Sequence, residues 1–158
     1  MQHRTGRVLS AVLSMALCGP AAAADTPEVA PATDALTPAR AQIAAKNWAG
    51  AIDELKRASA PGNADWNNLM GYSLRKANPP DYGAAEKFYN EALRISPKHR
   101  GALEYSGELY LMLGDLPRAE QRLGALDKAC FLPCEEYSDL KKAVARFKAA
   151  GNKYVAAP

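Results

Sequence analysis

The chain has 158 residues, 48% of them hydrophobic and 23% charged, and its formal net charge is +3. That length suits one domain with a buried core. Charges of both signs are interspersed rather than gathered into a basic patch, so neither nucleic acid nor a membrane surface is an expected partner.

Residues 1–24 have the pattern of a secretory signal peptide. Two arginines precede an apolar stretch, Val8–Leu17, and small residues follow it. Because a membrane-spanning helix needs roughly 20 apolar residues, the stretch is too short for a good anchor. We expect cleavage near Ala24–Asp25 and no stable membrane insertion afterwards. Cleavage removes two of the 20 basic residues and no acidic one, so the net charge falls from +3 to about +1.

The cysteines fit an exported chain, which folds in an oxidising compartment. Cys18 lies inside the signal, so the mature chain keeps Cys130 and Cys134, an even pair that favours a disulfide. Cys18 also leaves open the alternative that the chain is a bacterial lipoprotein, although Leu17 stands where lipoprotein signals normally have Gly, Ala or Ser. We expect a bacterial periplasmic protein, with lipid-anchored and secreted forms as the alternatives.

The remaining chain divides by composition into three parts. Residues 25–35 are rich in Pro, Ala, Thr and acidic residues and lack a helical stripe, which predicts a flexible leader. A helical domain is predicted over residues 36–150, with its last helix starting at about residue 134. Residues 151–158 are predicted to form a C-terminal tail.

A short motif returns every 34 residues in the helical domain. It begins with Asn or Asp and has an alanine four residues later, at Asn47 and Ala51, Asp81 and Ala85, and Asp115 and Ala119. The polar residue suits a helix N-terminus because its side chain can accept an unpaired backbone N–H. Apolar residues then recur at helical spacing. A period of this length is typical of stacked helical hairpins, which form surfaces for binding other proteins.

An apolar stripe precedes each motif and predicts the first helix of each hairpin. Gly71 and Gly107 mark the expected close crossings between helices, and they are 36 residues apart because two extra residues fall in the turn at 78–80. The first helix of the third hairpin is expected to end at Gly114. The first hairpin has a short leading helix at about Thr37–Lys46.

One more amphipathic helix is predicted over Cys134–Ala150. Acidic residues near its start and Lys148 near its end suit the helix dipole, and Gly151 and Asn152 end it. We interpret it as a capping helix that closes the open end of the array. A partner-binding helix is the alternative. Its apolar face is formed by Tyr137, Leu140, Val144 and Phe147.

These residues resemble the tetratricopeptide repeat family, whose unit is a 34-residue helix–turn–helix. The family pattern is met in the second repeat by Gly71, Tyr82, Ala85, Tyr89, Ala92 and Pro97. The third repeat keeps Gly107, Leu116, Ala119 and Leu123, but it has Leu126 in place of alanine and its proline is displaced to Pro133. The resemblance covers about residues 36–133. It implies an all-α fold, an α-solenoid of about three repeats followed by a C-terminal capping helix.

In this family the first helix of each hairpin lines the concave binding face. Counted from Gly71 and Gly107, the resemblance places six residues in a partner-binding groove: Asn68, Tyr72, Arg75, Glu104, Glu108 and Leu111. Tyr72 is the best anchor because aromatic side chains concentrate binding energy. Glu104 and Glu108 either favour a ligand of mixed charge or pair with Arg75. The lining lacks the basic and asparagine cluster that clamps a terminal carboxylate, so capture of C-terminal peptides is not expected.

Little in the sequence points to catalysis. His99, the one histidine of the mature chain, lies in a predicted turn between repeats, where we expect solvent exposure. Without a second histidine, a phosphate-binding loop or a metal-binding histidine pair, we expect no catalytic residue, no metal and no cofactor. Cys130 and Cys134 are interpreted as a structural disulfide that staples the capping helix to the array. A redox-active pair or a Cu(I) site is the alternative.

The sequence therefore predicts a non-catalytic adaptor or scaffold that binds a protein or peptide in an exported compartment. One alternative is a periplasmic protein that handles thiols or copper through Cys130 and Cys134. Another is a self-assembling structural module, which leaves homo-oligomerisation open.

Overall fold

The computed structural model describes residues 34–132 and 134–156, and every regular element in these ranges is an α-helix. The helices are α1 Thr37–Ala44, α2 Trp48–Ala58, α3 Ala64–Lys76, α4 Tyr82–Ile95, α5 Arg100–Met112, α6 Leu116–Ala129 and α7 Glu135–Ala149. Helices α1 with α2, α3 with α4, and α5 with α6 pack as hairpins, while α7 packs on α5 and α6. No helix of the described ranges has the length and hydropathy to cross a membrane. The predicted signal peptide, most of the leader and Pro133 lie outside the described residues.

Each second helix begins at the polar residue that the sequence predicts. The Oδ1 atoms of Asn47, Asp81 and Asp115 accept the backbone N–H three residues later, at 3.1, 2.9 and 3.0 Å. Asn63 caps α3 in the same way, at 3.1 Å. A side-chain cap satisfies an N–H that the helix itself cannot pair, so it fixes where the helix starts.

The predicted two-residue insertion lies in the turn of the second hairpin. Five residues separate Lys76 from Tyr82, whereas three separate Met112 from Leu116. The longer turn is closed by the Asp81 N–H, which donates to the Leu74 carbonyl at 3.0 Å. The first helices of both hairpins have 13 residues and the second helices have 14. The insertion therefore changes the turn and leaves the helices alike.

The predicted helical stripes form the core. Seven of their members have 0% exposure: Ala51, Leu55, Ala85, Tyr89, Ala92, Ala119 and Leu126. Ala58 and Leu123 are partly buried against the same clusters. The capping helix contributes Leu140, Val144 and Phe147, which join the cluster that contains Leu126. This helix takes the position on the third hairpin that α5 takes on the second, since α5 likewise packs on the two helices before it.

The two glycines expected at helix crossings both lie at close contacts, but with different partners. A Cβ added at Gly71 would lie 2.8 Å from the ring of Tyr89 in α4, the second helix of the same hairpin. A Cβ at Gly107 would lie 2.5 Å from Leu140 of the capping helix. Gly107 therefore admits α7, and the sequence interpretation of it as a crossing within the hairpin is incomplete.

His99 is not the solvent-exposed residue that its place in a turn suggests. Only 14% of its side chain is exposed. Its Nδ1 accepts the Ala102 N–H at 3.1 Å, so the imidazole caps α5. Its Nε2 lies 2.9 Å from Oδ1 of Asp65 in α3. The imidazole therefore joins the starts of two successive first helices, a role that the sequence does not show because His is an uncommon cap.

We expect the Gly71→Ala substitution to lower the free energy of unfolding by about 1–3 kcal/mol, because the new methyl group must displace the buried Tyr89 ring. Gly124→Ala is the matched control. Nothing lies within 4 Å of a Cβ at Gly124, which is in α6, so helix propensity alone should raise the stability by about 0.5–1 kcal/mol. Urea unfolding monitored by circular dichroism measures both. Equal effects of the two substitutions would contradict the close contact at Gly71.

We expect His99→Ala to destabilise the fold by about 1 kcal/mol, because α5 loses its cap. His99→Asn should recover most of this loss, since an asparagine carbonyl can accept the same N–H. Thermal unfolding of the three proteins side by side tests the assignment. If the asparagine variant is no more stable than the alanine variant, the imidazole does not act as a cap.

Candidate functional site

Three aromatic rings from three successive hairpins contact one another on one surface. Trp48 begins α2, Tyr72 lies in α3 and Tyr105 lies in α5, and all three are partly exposed. The Trp48 and Tyr72 ring centroids are 5.8 Å apart in an edge-on arrangement, and those of Tyr72 and Tyr105 are 4.6 Å apart. The stack thus crosses the boundaries between repeats and presents apolar surface that is held in place before any partner arrives.

An ion pair runs beneath this stack. Nη1 of Arg75 donates to Oε2 of Glu108 at 2.7 Å and joins α3 to α5. The guanidinium carbon lies 5.5 Å from the ring centres of both Tyr72 and Tyr105. Only 2% of the Arg75 side chain is exposed, compared with 24% for Glu108. We call the surface made by Trp48, Tyr72, Tyr105, Arg75 and Glu108 the aromatic–ionic face.

The charges of this face persist despite burial. Burial lowers the pKa of Arg75, but nearby Tyr89 and Glu108 outweigh it, so the pKa is raised and the guanidinium stays charged. Burial also raises the pKa of Tyr105 to about 12 and raises that of Tyr72, which keeps both hydroxyls protonated at neutral pH. The face therefore offers neutral aromatic rings around a fixed cation, with one carboxylate reaching its edge.

The structure brings together three of the six residues predicted for the groove. Tyr72, Arg75 and Glu108 meet in the aromatic–ionic face, although Arg75 is buried under the rings and supports them rather than facing a partner. The pairing of Arg75 with Glu108 was one of the two roles that the sequence left open for these acids. Glu104 lies beside this face on α5, at 9% exposure.

The other two predicted groove residues are buried between helices. Leu111 has 1% exposure and belongs to the hydrophobic cluster that includes Leu140, so its assignment to the groove is wrong. The capping helix packs on α5 and contributes to the cluster that buries Leu111. Asn68 has 7% exposure, and its amide nitrogen would lie 3.1 Å from a Cβ at Gly101. It therefore fills the junction between α3 and α5 instead of the open surface.

Trp48 and Tyr105 belong to the face but were not predicted. The family rule assigns the groove to first helices, and Trp48 opens a second helix. Tyr105 lies two residues before Gly107, at a position that the counting from the glycines does not include. A search for aromatic residues next to the assigned groove positions would have found Tyr105, which follows Glu104.

The cysteine pair lies between α6 and α7 and is not part of this face. The two sulfur atoms are 2.03 Å apart, at disulfide distance, and the bond links the end of α6 to the start of α7. Phe131 and Leu132 within this loop are 101% and 73% exposed. Within residues 34–132 and 134–156, no three His, Cys, Asp or Glu side chains are grouped to hold a metal ion.

Comparison with known proteins finds one family model that matches part of the chain. A family model described as tetratricopeptide repeat matches residues 80–144, a segment that runs from the start of α4 into α7. None of the curated proteins compared with the chain matches it. The match includes α5 and its Tyr105 and Glu108, so part of the aromatic–ionic face lies on the matched repeats.

Glu104 should make stability depend on pH. Burial, together with Glu108, Asp139 and Glu136 and against the opposing charge of Arg75, raises its pKa from 4.5 to about 8. The folded state prefers the protonated form of Glu104. The resulting contribution of Glu104 to the free energy of unfolding is complete below pH 4.5 and is lost as the pH rises through 8. We expect Glu104→Gln to unfold like the parent near pH 4.5, and to be more stable by at least about 1 kcal/mol at pH 8.5.

Urea unfolding at the two pH values measures this difference. Glu54→Gln is the control. Glu54 lies in α2, where it pairs with Arg57, and the substitution makes the same change of charge as Glu104→Gln. A Glu104→Gln variant whose stability follows that of the parent at both pH values would show that Glu104 ionises normally.

Proposed function

We propose that the chain is a non-catalytic adaptor that binds a protein or peptide segment on the aromatic–ionic face. The match to the tetratricopeptide repeat family supports this proposal, because that fold serves protein interactions. The observation that carries this proposal is the contact of Trp48, Tyr72 and Tyr105 across three hairpins. Partly exposed aromatic rings are the side chains that most often dominate binding energy at protein interfaces.

The arrangement favours binding because its rings are already ordered. Arg75 lies against two of the rings and is itself paired with Glu108, so these rings already pack against a buried side chain without a partner. Ordering side chains at an interface costs about 0.5–1.5 kcal/mol each, and a preformed face avoids part of this cost. The exposed ammonium group of Lys76, 5.8 Å from the Tyr72 ring, adds a charged rim.

The location that we propose for this binding is the bacterial periplasm. Two features support it: the signal-like pattern of residues 1–24 and the cysteine pair at disulfide distance, which suits an oxidising compartment. A periplasmic extract is therefore the proper source of partners.

The proposal is tested by photo-crosslinking in that extract. A photoreactive phenylalanine analogue is introduced at Tyr72, at Tyr105 or, as the control, at Leu113, an apolar residue with 45% exposure just after α5. We expect the same protein to be crosslinked from Tyr72 and Tyr105 but not from Leu113. Mass spectrometry of the adducts identifies it.

The energetic contribution of the stack is tested with the identified partner. Tyr72→Ala should weaken binding by about tenfold or more, since an aromatic anchor is worth more than about 1.4 kcal/mol, whereas Leu113→Ala should leave the affinity unchanged. Circular dichroism confirms that both variants keep their helical content. Equal affinities of the two variants, or adducts from Leu113 alone, would remove the aromatic–ionic face from the proposal.

A further inference from the structure

A second recognition element lies next to the aromatic–ionic face. A cavity of about 270 Å³ opens between α5 and the first turns of α7. Four carboxylates and one aromatic ring line it: Glu104, Glu135, Glu136, Asp139 and Tyr105. Tyr105 belongs to the stack as well, so the cavity and the face share one side chain and form a continuous surface.

The carboxylate of Glu104 is the unusual part of this cavity. The residue is about nine-tenths buried, at 9% exposure, yet the described part of the chain gives it neither a hydrogen bond nor an ion pair. Its carboxylate oxygens are not among the fully buried unpaired atoms, so they reach the cavity, where a partly desolvated carboxylate without a partner is still costly. Glu108, Asp139 and Glu136 carry the same charge, and the opposing charge of Arg75 does not offset them. In the described part of the chain no cation pairs directly with Glu104.

The cations of this chain neutralise the cavity only in part. Arg100 lies 3.5 Å from Oε1 of Glu136, and Lys142 lies 3.0 Å from Oδ1 of Asp139. Both basic side chains are more than half exposed, so they pair with the outer acids rather than with Glu104. Within the described ranges Glu135 also has no ion pair, which leaves a net negative charge at the mouth of the cavity.

We propose that this cavity binds an arginine side chain of the partner segment that, on the proposed function, lies along the aromatic–ionic face. A guanidinium group offers several donors to carboxylates that are now unpaired, and it can stack on the Tyr105 ring. Arginine suits the site better than lysine because its planar group can bond to a carboxylate and stack at once. The partner is thereby defined as a segment with an arginine next to an apolar residue.

The probe for this proposal is a blocked pentapeptide, acetyl-Gly-Gly-Arg-Gly-Gly-amide, added to the ¹⁵N-labelled mature chain. Its matched control replaces arginine by citrulline, which has nearly the same shape and no charge. We expect saturable amide shifts at Glu104, Tyr105 and Asp139 with the arginine peptide, and a dissociation constant at least about fivefold weaker with citrulline. Equal shifts with both peptides would overturn the proposal.

Variants then assign the site within the chain. Glu104→Gln replaces a carboxyl group, which is largely protonated in the free protein at neutral pH and ionises when a guanidinium binds, by a neutral amide of nearly the same shape. It should weaken the arginine peptide by at least about threefold, as should Asp139→Asn. Glu54→Gln, the same change on α2, should leave the affinity unchanged. An affinity that neither cavity substitution alters, or shifts confined to other surfaces, would also overturn the proposal.

The two proposals fail separately in these experiments. The peptide titration needs no natural partner, so an arginine-binding cavity is measured even if crosslinking at Tyr72 captures nothing. Conversely, capture that depends on Tyr72 but tolerates Glu104→Gln, with no preference for arginine over citrulline, supports the adaptor and removes the cavity.

Discussion

Each hairpin of this fold leaves one apolar side uncovered, and the next element along the chain must bury it. Helix α5 packs on both helices of the second hairpin, and α7 packs on both helices of the third. Gly107 makes this possible for α7, because a methyl group there would meet the buried Leu140 at under 3 Å, whereas Gly71 admits Tyr89 of its own hairpin. Stability in such an array is shared between neighbours, so the binding face depends on helices that do not belong to it.

The sequence predicts the helices well because their limits are set by local chemistry. Asn47, Asp81 and Asp115 each supply a cap that needs only the next three residues. It does not predict contacts that join distant segments. The bond of His99 to Asp65 and the contact of Gly107 with Leu140 arise from the stacking of repeats, and no local pattern marks them.

The residues of the candidate site differ in the same way: those placed by local sequence could be predicted, and those placed by packing between distant segments could not. Tyr72 could be predicted, because its place on a first helix decides which way it faces. Leu111 could not be excluded from the groove, because its burial depends on how the capping helix packs on α5 and not on its neighbours in the sequence. Trp48 enters from a second helix, which the counting rule does not cover. The ion pair of Arg75 with Glu108 was anticipated only as one of two alternatives.

The two ends of the array are closed unequally. Helix α7 buries four of its side chains, whereas the eight-residue α1 buries only Ala39. Because opening of a repeat array begins where neighbours hold least, α1 is the helix of the described array that opens at lowest cost. Trp48 belongs to α2, which packs on α3 as well as on α1, whereas Tyr105 belongs to the closed end. The aromatic stack therefore spans regions of unequal local stability, and its Trp48 edge lies nearer to the end that frays first.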